Sequence, residues 1–428
     1  MIAPALLLAA LAAAPGDEVV ARVDGIAIPR SAVVRRASDF RARGESLQPA
    51  EVLASLVDEA LLAAEGERLG LRQEPAVAAR LEAERRRIAA EVLVETEIAS
   101  GISPPEDALR RMFHGTADSA RLQLLIYETK DAAQAARDRL AQGGSLEAEA
   151  RAALIAKVAP RDGGAPEAIR AQLDPALAEA VFGAAPGALV GPVALKNGFA
   201  VARVIELNVA AEAEYAARRE AVLRHARKEL TAQAVSHYTG QLRKQAGVTL
   251  DEPFLQGLQG LQASPAELDH VLATVGGRSL RYRDIHPSLE AVAAGSGHMA
   301  GPTIKIQLAW REIDARLLQD VAVQRGYEKR PETLARAAVA ERNVLALALA
   351  DRIRASAPPP SEAEIQEFYG RNAAAYGRPF EQVLPDAAAR AGAEKREAAV
   401  LARARELRAR AAITIDQAAL ARAGAAGA

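Results

Sequence analysis

The stretch Val19-Val20-Ala21-Arg22-Val23-Asp24-Gly25-Ile26-Ala27-Ile28 returns 252 residues later as Val271-Leu272-Ala273-Thr274-Val275-Gly276-Gly277-Arg278-Ser279-Leu280. Both read as a β-branched strand, a glycine turn and a short return strand. Moving outward, Val57-Asp58-Glu59-Ala60-Leu61-Leu62, followed by Gly70 and Pro75, matches Ile313-Asp314-Ala315-Arg316-Leu317-Leu318, followed by Gly326 and Pro331, at an offset of 256. Leu53, Leu56, Val57, Ala60, Leu61 and Ala64 recur at helical spacing, and each glycine falls where a helix should end. Ser103-Pro104-Pro105-Glu106 to Met112-Phe113 matches Pro359-Pro360-Ser361-Glu362 to Phe368-Tyr369 at the same offset, as a Pro-led helix start. Finally Leu242-Arg243 and Val248-Thr249-Leu250-Asp251 match Leu407-Arg408 and Ile413-Thr414-Ile415-Asp416 at an offset of only 165.

Alanine-rich helices can imitate any one such match by chance, but not four in order. The drop in offset means that the first copy holds 91 residues the second lacks, the size of one small domain. The expected architecture is mainly α with small α+β parts. A first helical unit spans 15–117 and is closed by 213–251, an inserted domain occupies 118–209, and a second unit without an insert covers 269–428. Pro253, Gly257, Gly260 and Pro265 mark 252–268 as a linker. Each copy opens and closes with an apolar strand, so Val19–Val23 is expected to pair with Val248–Leu250, and Val271–Val275 with Ile413–Ile415.

Half of the 428 residues are hydrophobic and only 4 % aromatic, so alanine supplies much of the apolar count and favours helix. The 54 Lys and Arg nearly cancel 55 Asp and Glu, so the net charge of −1 gives no argument for nucleic acid or an anionic membrane as partner. Arg85 to Arg87 lie among Glu82 and Glu84 and read as a solvated helix face. With no cysteine there can be no disulfide, thiol nucleophile, Cys-type zinc site or lipidated cysteine. Met1 to Ala14 is a short apolar run ending in Ala12-Ala13-Ala14, which reads as a signal peptide (1–14) with an Ala-x-Ala cleavage site, the alternative being an ordinary N-terminal helix. No later segment approaches an uncharged apolar 18-mer, so stable membrane insertion is not expected.

The Val-Asp-Gly strand turn and the Leu-Val-Asp-Glu-x-Leu-Leu helix at 56–62 resemble the SurA/PrsA chaperone domain. The insert resembles a parvulin-type (PpiC) peptidyl-prolyl isomerase domain. Arg121 to Tyr127 looks like its first strand, Asp131 to Gln142 its first helix and Leu146 to Ala156 its next helical segment. Asp174-Pro175-Ala176-Leu177 to Phe182, then Pro186-Gly187, Gly191-Pro192-Val193 and Asn197-Gly198-Phe199-Ala200 follow the second half of the family pattern. The resemblance implies a prolyl pocket beside a hydrogen-bonded histidine pair. This chain has Leu124 and Ala200 at those two positions, and Gly163-Gly164-Ala165-Pro166-Glu167 departs from the expected glycine-rich segment. Leu173, Leu177, Phe182 and Phe199 are the candidate peptide-binding pocket; for Leu173, Leu177 and Phe182 the favoured reading is the buried face of a helix.

His114, His225, His237, His270, His286 and His298 show no metal-ligand spacing, Gly295-Ser296-Gly297 lacks a phosphate-loop context, and no metal or cofactor is called for. The resemblance implies an exported, periplasmic chaperone for unfolded or nascent envelope polypeptides, outer-membrane or exported proteins among them, with an isomerase domain that has lost its catalytic residues. An active prolyl isomerase is the alternative, and a dedicated structural partner of one envelope complex is a third reading.

Overall fold

The computed structural model describes residues 17–157, 167–258, 260–296 and 301–426, so the Met1 to Ala14 leader, Gly163 to Pro166 and His298 lie outside the described residues. The first elements in chain order are β1 (Val19–Val23), β2 (Ile26–Pro29), α1 (Arg30–Ala42), α2 (Pro49–Arg68), α3 (Pro75–Leu93) and α4 (Glu106–Ala117). Next come β3 (Ser119–Tyr127), α5 (Lys130–Ala141), α6 (Leu146–Ala152), β4 (Ile155–Lys157), β5 (Glu167–Ile169), α7 (Pro175–Phe182), β6 (Leu189–Leu195), β7 (Gly198–Asn208) and α8 (Glu212–Ala246). There follow α9 (Glu252–Gly257), α10 (Pro265–Asp269), β8 (Val271–Val275), β9 (Arg278–Arg281), α11 (Tyr282–Ser296) and α12 (Pro302–Gln324). The chain closes with α13 (Pro331–Ser356), α14 (Glu362–Tyr376), α15 (Phe380–Arg408), β10 (Ile413–Ile415) and α16 (Gln417–Ala426). The protein is mainly α with one α+β domain. None of the described helices is long and apolar enough to cross a membrane.

Two compact units emerge: one made of the chain up to Glu97 together with His237 onward, the other of Ile98–Ser236. This division differs from the expected one, because both matched helical segments fall in the first unit and the insert takes α4 and most of α8 with it. The expected linker also proves structured. Asp251 caps α9 by accepting from Phe254 N, Leu255 is fully buried, and Phe254, Leu258 and Leu261 pack on the same core. Apolar residues at near-helical spacing outweigh the Pro and Gly punctuation there.

Within the first unit the strand pairing is exchanged relative to expectation. β1 pairs with β10, not with Val248–Leu250: Ala21 faces Ile415, Arg22 faces Thr414 and Val23 faces Ile413. Val248 and Leu250 instead pack with Leu272 and Val275 of β8. The hydrogen bond from Asp416 N to Val20 O (2.9 Å) has its counterpart, at the matched positions, in Asp251 N to Leu272 O (2.9 Å). The same crossing governs the helices. Arg408 Nε meets Asp58 at 2.5 Å, and Arg243 Nε meets Asp314 at 2.9 Å. Both pairings offer the same ladder bonds and apolar faces, so the strand pattern cannot choose between them. The helices choose, by carrying each closing strand to the other opening hairpin.

The helices α3 and α13 cross where matched residues meet, Arg85 against Glu341 at 2.6 Å. On either side run reciprocal pairs, Arg336 with Glu95 (2.7 Å) and Arg80 with Asp351 (4.0 Å). Beneath them lie two mirrored apolar clusters. Leu62, Leu71, Val77 and Leu81 hold Val344, Leu345 and Leu349, while Ile88, Ala89 and Leu93 hold Ala322, Tyr327 and Ala337. Gly66 permits the closest approach of α2 to α13, since a Cβ there would lie 3.0 Å from Leu345 O. Gly70 and Gly326 take φ of 73° and 69°, the left-handed geometry expected of residues that end α2 and α12.

One arginine ties together the points where the chain leaves and re-enters this unit: Arg325 binds Glu97 through one guanidinium nitrogen and the Tyr238 hydroxyl through the other, at 3.1 Å. Replacing residues 98–236 with a flexible linker of about ten residues, whose reach is roughly 17 Å, should leave the unit folded. Cooperative thermal unfolding of the shortened chain, followed by circular dichroism, checks this. A second prediction concerns Glu65, which is 6 % exposed. Hydrogen bonding by Arg68, joined by Arg403, holds its carboxyl down to about 2 from an ordinary 4.5 against the opposing effect of burial. A depressed folded-state pKa contributes stability above the unfolded value and loses it as pH falls through the folded value. Glu65→Gln should therefore flatten the fall in stability between pH 4.5 and about 2, measured by urea unfolding at each pH.

Candidate functional site

The insert is built on a sheet of order β4-β3-β7-β6, with β5 also pairing along β3. Alternation along β3 and β7 sends side chains to two faces. On one face Ala120, Leu122 and Leu124 meet Ala200, Ala202 and Val204 beneath Leu177 and Val181 of α7. On the other, Leu125, Tyr127 and Val201 meet Ala133, Ala136 and Leu140 of α5.

The two positions where the parvulin resemblance implies histidines lie on one face of adjacent strands, two ladder positions apart: Leu124 faces Ala202, and Ile126 faces Ala200. Leu124 is 8 % exposed and Ala200 is fully buried. A hydrogen-bonded pair could span that gap, but neither side chain has a polar atom. Of the pocket candidates, Leu173 and Phe182 are partly buried beside this cluster, whereas Leu177 is 2 % exposed and belongs to its interior. Phe199 does not join them. One residue along β7 from Ala200, it faces the opposite side and packs against the α5 cluster. The family-pattern glycines have backbone reasons: a Cβ on Gly191 would come within 2.3 Å of Ala200 O, and one on Gly198 within 2.4 Å of Tyr127 O. The expected helix Leu146 to Ala156 stops at Ala152, and Ile155–Lys157 forms β4 along β3 instead. Gly295 and Ser296 belong to α11.

Sequence reasoning missed the polar group at the base of the domain. Asp118 is fully buried and accepts hydrogen bonds from Arg170 (2.9 Å) and Ala210 N (3.1 Å), with His114 Nδ1 at 3.0 Å. Arg170 in turn lies 4.7 Å over the Phe182 ring, so the edge of the candidate pocket is fixed by a buried carboxylate. Across the sheet, Arg139 binds Glu149 (2.6 Å) and lowers its pKa, and burial pushes the Tyr127 phenol up to about 12. The signal for Asp118 was its place at the first residue of the insert. Of the other histidines, His270 pairs with Asp251 at 2.9 Å and His286 approaches Leu261 O at 2.7 Å. Both are local structural contacts. Among the described residues no three His, Asp or Glu side chains cluster as metal ligands.

Residues 107–220 match the family model of the PPIC-type PPIase domain. No curated protein matches the chain. Among solved structures, one of the pair of SurA-like chaperones PEB4 and Cj1289 from Campylobacter jejuni is 14 % identical over 54 % of this chain and 98 % of its own, with a TM-score of 0.22. The peptidylprolyl isomerase PrsA from Bacillus cereus is 13 % identical over 54 % of this chain and 90 % of its own, with a TM-score of 0.26. PrsA from Bacillus subtilis is 15 % identical over 52 % and 93 %, with a TM-score of 0.20.

Asp118→Ala should destabilise the domain by about 1 to 3 kcal/mol, because it leaves the Ala210 amide without its buried partner while water reaches the half-exposed Arg170. Urea unfolding of the isolated substitution checks the magnitude. A loss below about 1 kcal/mol would show that water replaces the carboxylate at little cost.

Proposed function

We propose that the chain is an exported chaperone that holds unfolded or nascent envelope polypeptides, outer-membrane or exported proteins among them, and that its PPIC-type domain engages proline-containing segments without isomerising them. The leader Met1 to Ala14 would be removed on export to the periplasm, and the matched helical segments would be two copies of one unit, the second without the insert. The observation that carries the reading is the burial of Leu124 and Ala200 at the two positions where the domain's chemistry calls for histidine. Isomerisation has to lower a barrier of about 18 to 20 kcal/mol, and a wholly apolar pair offers no donor or acceptor to the twisting amide. Leu173 and Phe182, with Arg170 over the ring, still offer an apolar surface with a polar rim to a prolyl segment.

Two measurements on the same preparation test this: suppression of aggregation of a chemically unfolded polypeptide, and isomerisation of a proline-containing peptide. The expected outcome is suppression at near-stoichiometric amounts with turnover close to background. Turnover comparable to an intact parvulin would instead establish an active isomerase. Leu124→His with Ala200→His should not rescue strong turnover. Ala200 has no free space, and overpacking costs about 1 to 3 kcal/mol. A histidine at Leu124 would be covered without a settled partner.

A further inference from the structure

A cavity of about 490 Å³ lies where α3 meets the end of α12, within the first compact unit. Its lining is aliphatic at Leu81 and Val323, with exposed Ala78 at the mouth, and charged at Arg72, Arg85, Arg86, Glu82 and Glu328. Three guanidiniums around a hollow invite an anion, but the charge balance argues otherwise. Arg72 is held by Glu67 (3.0 Å) and Glu341 (2.8 Å), Arg85 by Glu341 (2.6 Å), and Arg86 by Glu82 (2.8 Å) with Asp320 at 3.7 Å. With Glu328 added, and with Arg278 on Asp320 (2.5 Å) and Lys329 near Glu328 (3.9 Å), five carboxylates balance five cations, so a phosphate or free carboxylate meets no net positive field.

Among the side chains that line the hollow, one donor and one acceptor remain unpaired. Arg85 Nε and Glu328 Oε2 are covered and have no hydrogen-bond partner within the protein. Each is a polar group left short of a partner, a condition that native interiors seldom tolerate. Both side chains keep exposed parts, so they can turn toward the hollow when something there offers a bond. A peptide group offers both at once, a carbonyl for the arginine N–H and an N–H for the carboxylate, while small apolar side chains suit the aliphatic lining. We infer that this cavity is a binding site for an extended, uncharged segment of polypeptide, held through its main chain. The inference rests on the chaperone reading for the source of that segment, an unfolded client, but the site stands or falls by its own titration.

The test uses the full chain and a fluorescently labelled, acetylated and amidated hexapeptide of alternating alanine and valine or leucine, followed by anisotropy. Ala78 is exposed on α3, so Ala78→Trp should fill the mouth without disturbing the core and raise the Kd at least about tenfold. Ala79→Trp, also exposed but away from the cavity, should bind as the parent does and serves as the control for folding. Glu328→Ala should weaken binding several-fold, and exchanging the central amide of the peptide for an ester should weaken the parent but add little to Glu328→Ala. Millimolar inorganic phosphate should not compete. Absence of hexapeptide binding by the parent, parent-like binding by both Ala78→Trp and Glu328→Ala, or competition by phosphate would overturn the site. If the parent binds the hexapeptide as described but does not suppress aggregation, the chaperone reading fails and the peptide site stands.

Discussion

The first compact unit depends on one pair of exchanged closures. A strand near the end of the chain completes the sheet opened by β1, and the segment before α9 runs beside β8, each with the same 2.9 Å amide-to-carbonyl bond. Everything around it follows from the exchange. The Arg408–Asp58 and Arg243–Asp314 pairs can form only between opposite segments. The crossing of α3 and α13 at Arg85 and Glu341 then brings the two sets of core residues into the reciprocal clusters built on Leu81 with Leu345 and on Ile88 with Tyr327. Neither opening hairpin could bury its apolar face alone, since a two-stranded ribbon is at best marginal in water.

The second unit is closed more simply, by Asp118. Its carboxylate reaches Ala210 N, while β3 and β7 run together from Ser119 beside Asn208 to Tyr127 beside Phe199. Entry and exit of the inserted sheet therefore meet at one buried charge, satisfied by Arg170 and by a backbone amide. The sheet face above it is wholly apolar at Leu124 and Ala200, packed under Leu177 and Val181.

Much of this was legible in the sequence. The offsets gave the presence and size of an insert, while the compact unit that holds it runs wider, from Ile98 to Ser236. Gly70 and Gly326 marked the ends of α2 and α12 because a left-handed glycine suits those places. The pairing of strands was not legible, because two nearly equivalent partners satisfy the same pattern. Phe199 was misassigned because a motif read along the chain ignores that neighbours on a strand face opposite ways. The run Arg85 to Arg87 read as a solvated face, yet Arg85 and Arg86 line a hollow. No pattern within α3 says that a second helix will arrive over it.

The pairing of Val23 with Ile413 also has a consequence in time. A ribosome adds about 5 to 20 residues per second, so the N-terminal hairpin waits on the order of 20 to 80 s before its third strand exists. The insert, by contrast, is one continuous stretch that can close on Asp118 and Ala210 in the middle of synthesis. During the wait β1 presents an open edge, the kind of surface that recruits other chains. A nascent copy of this protein is itself in need of protection until its last strand is made.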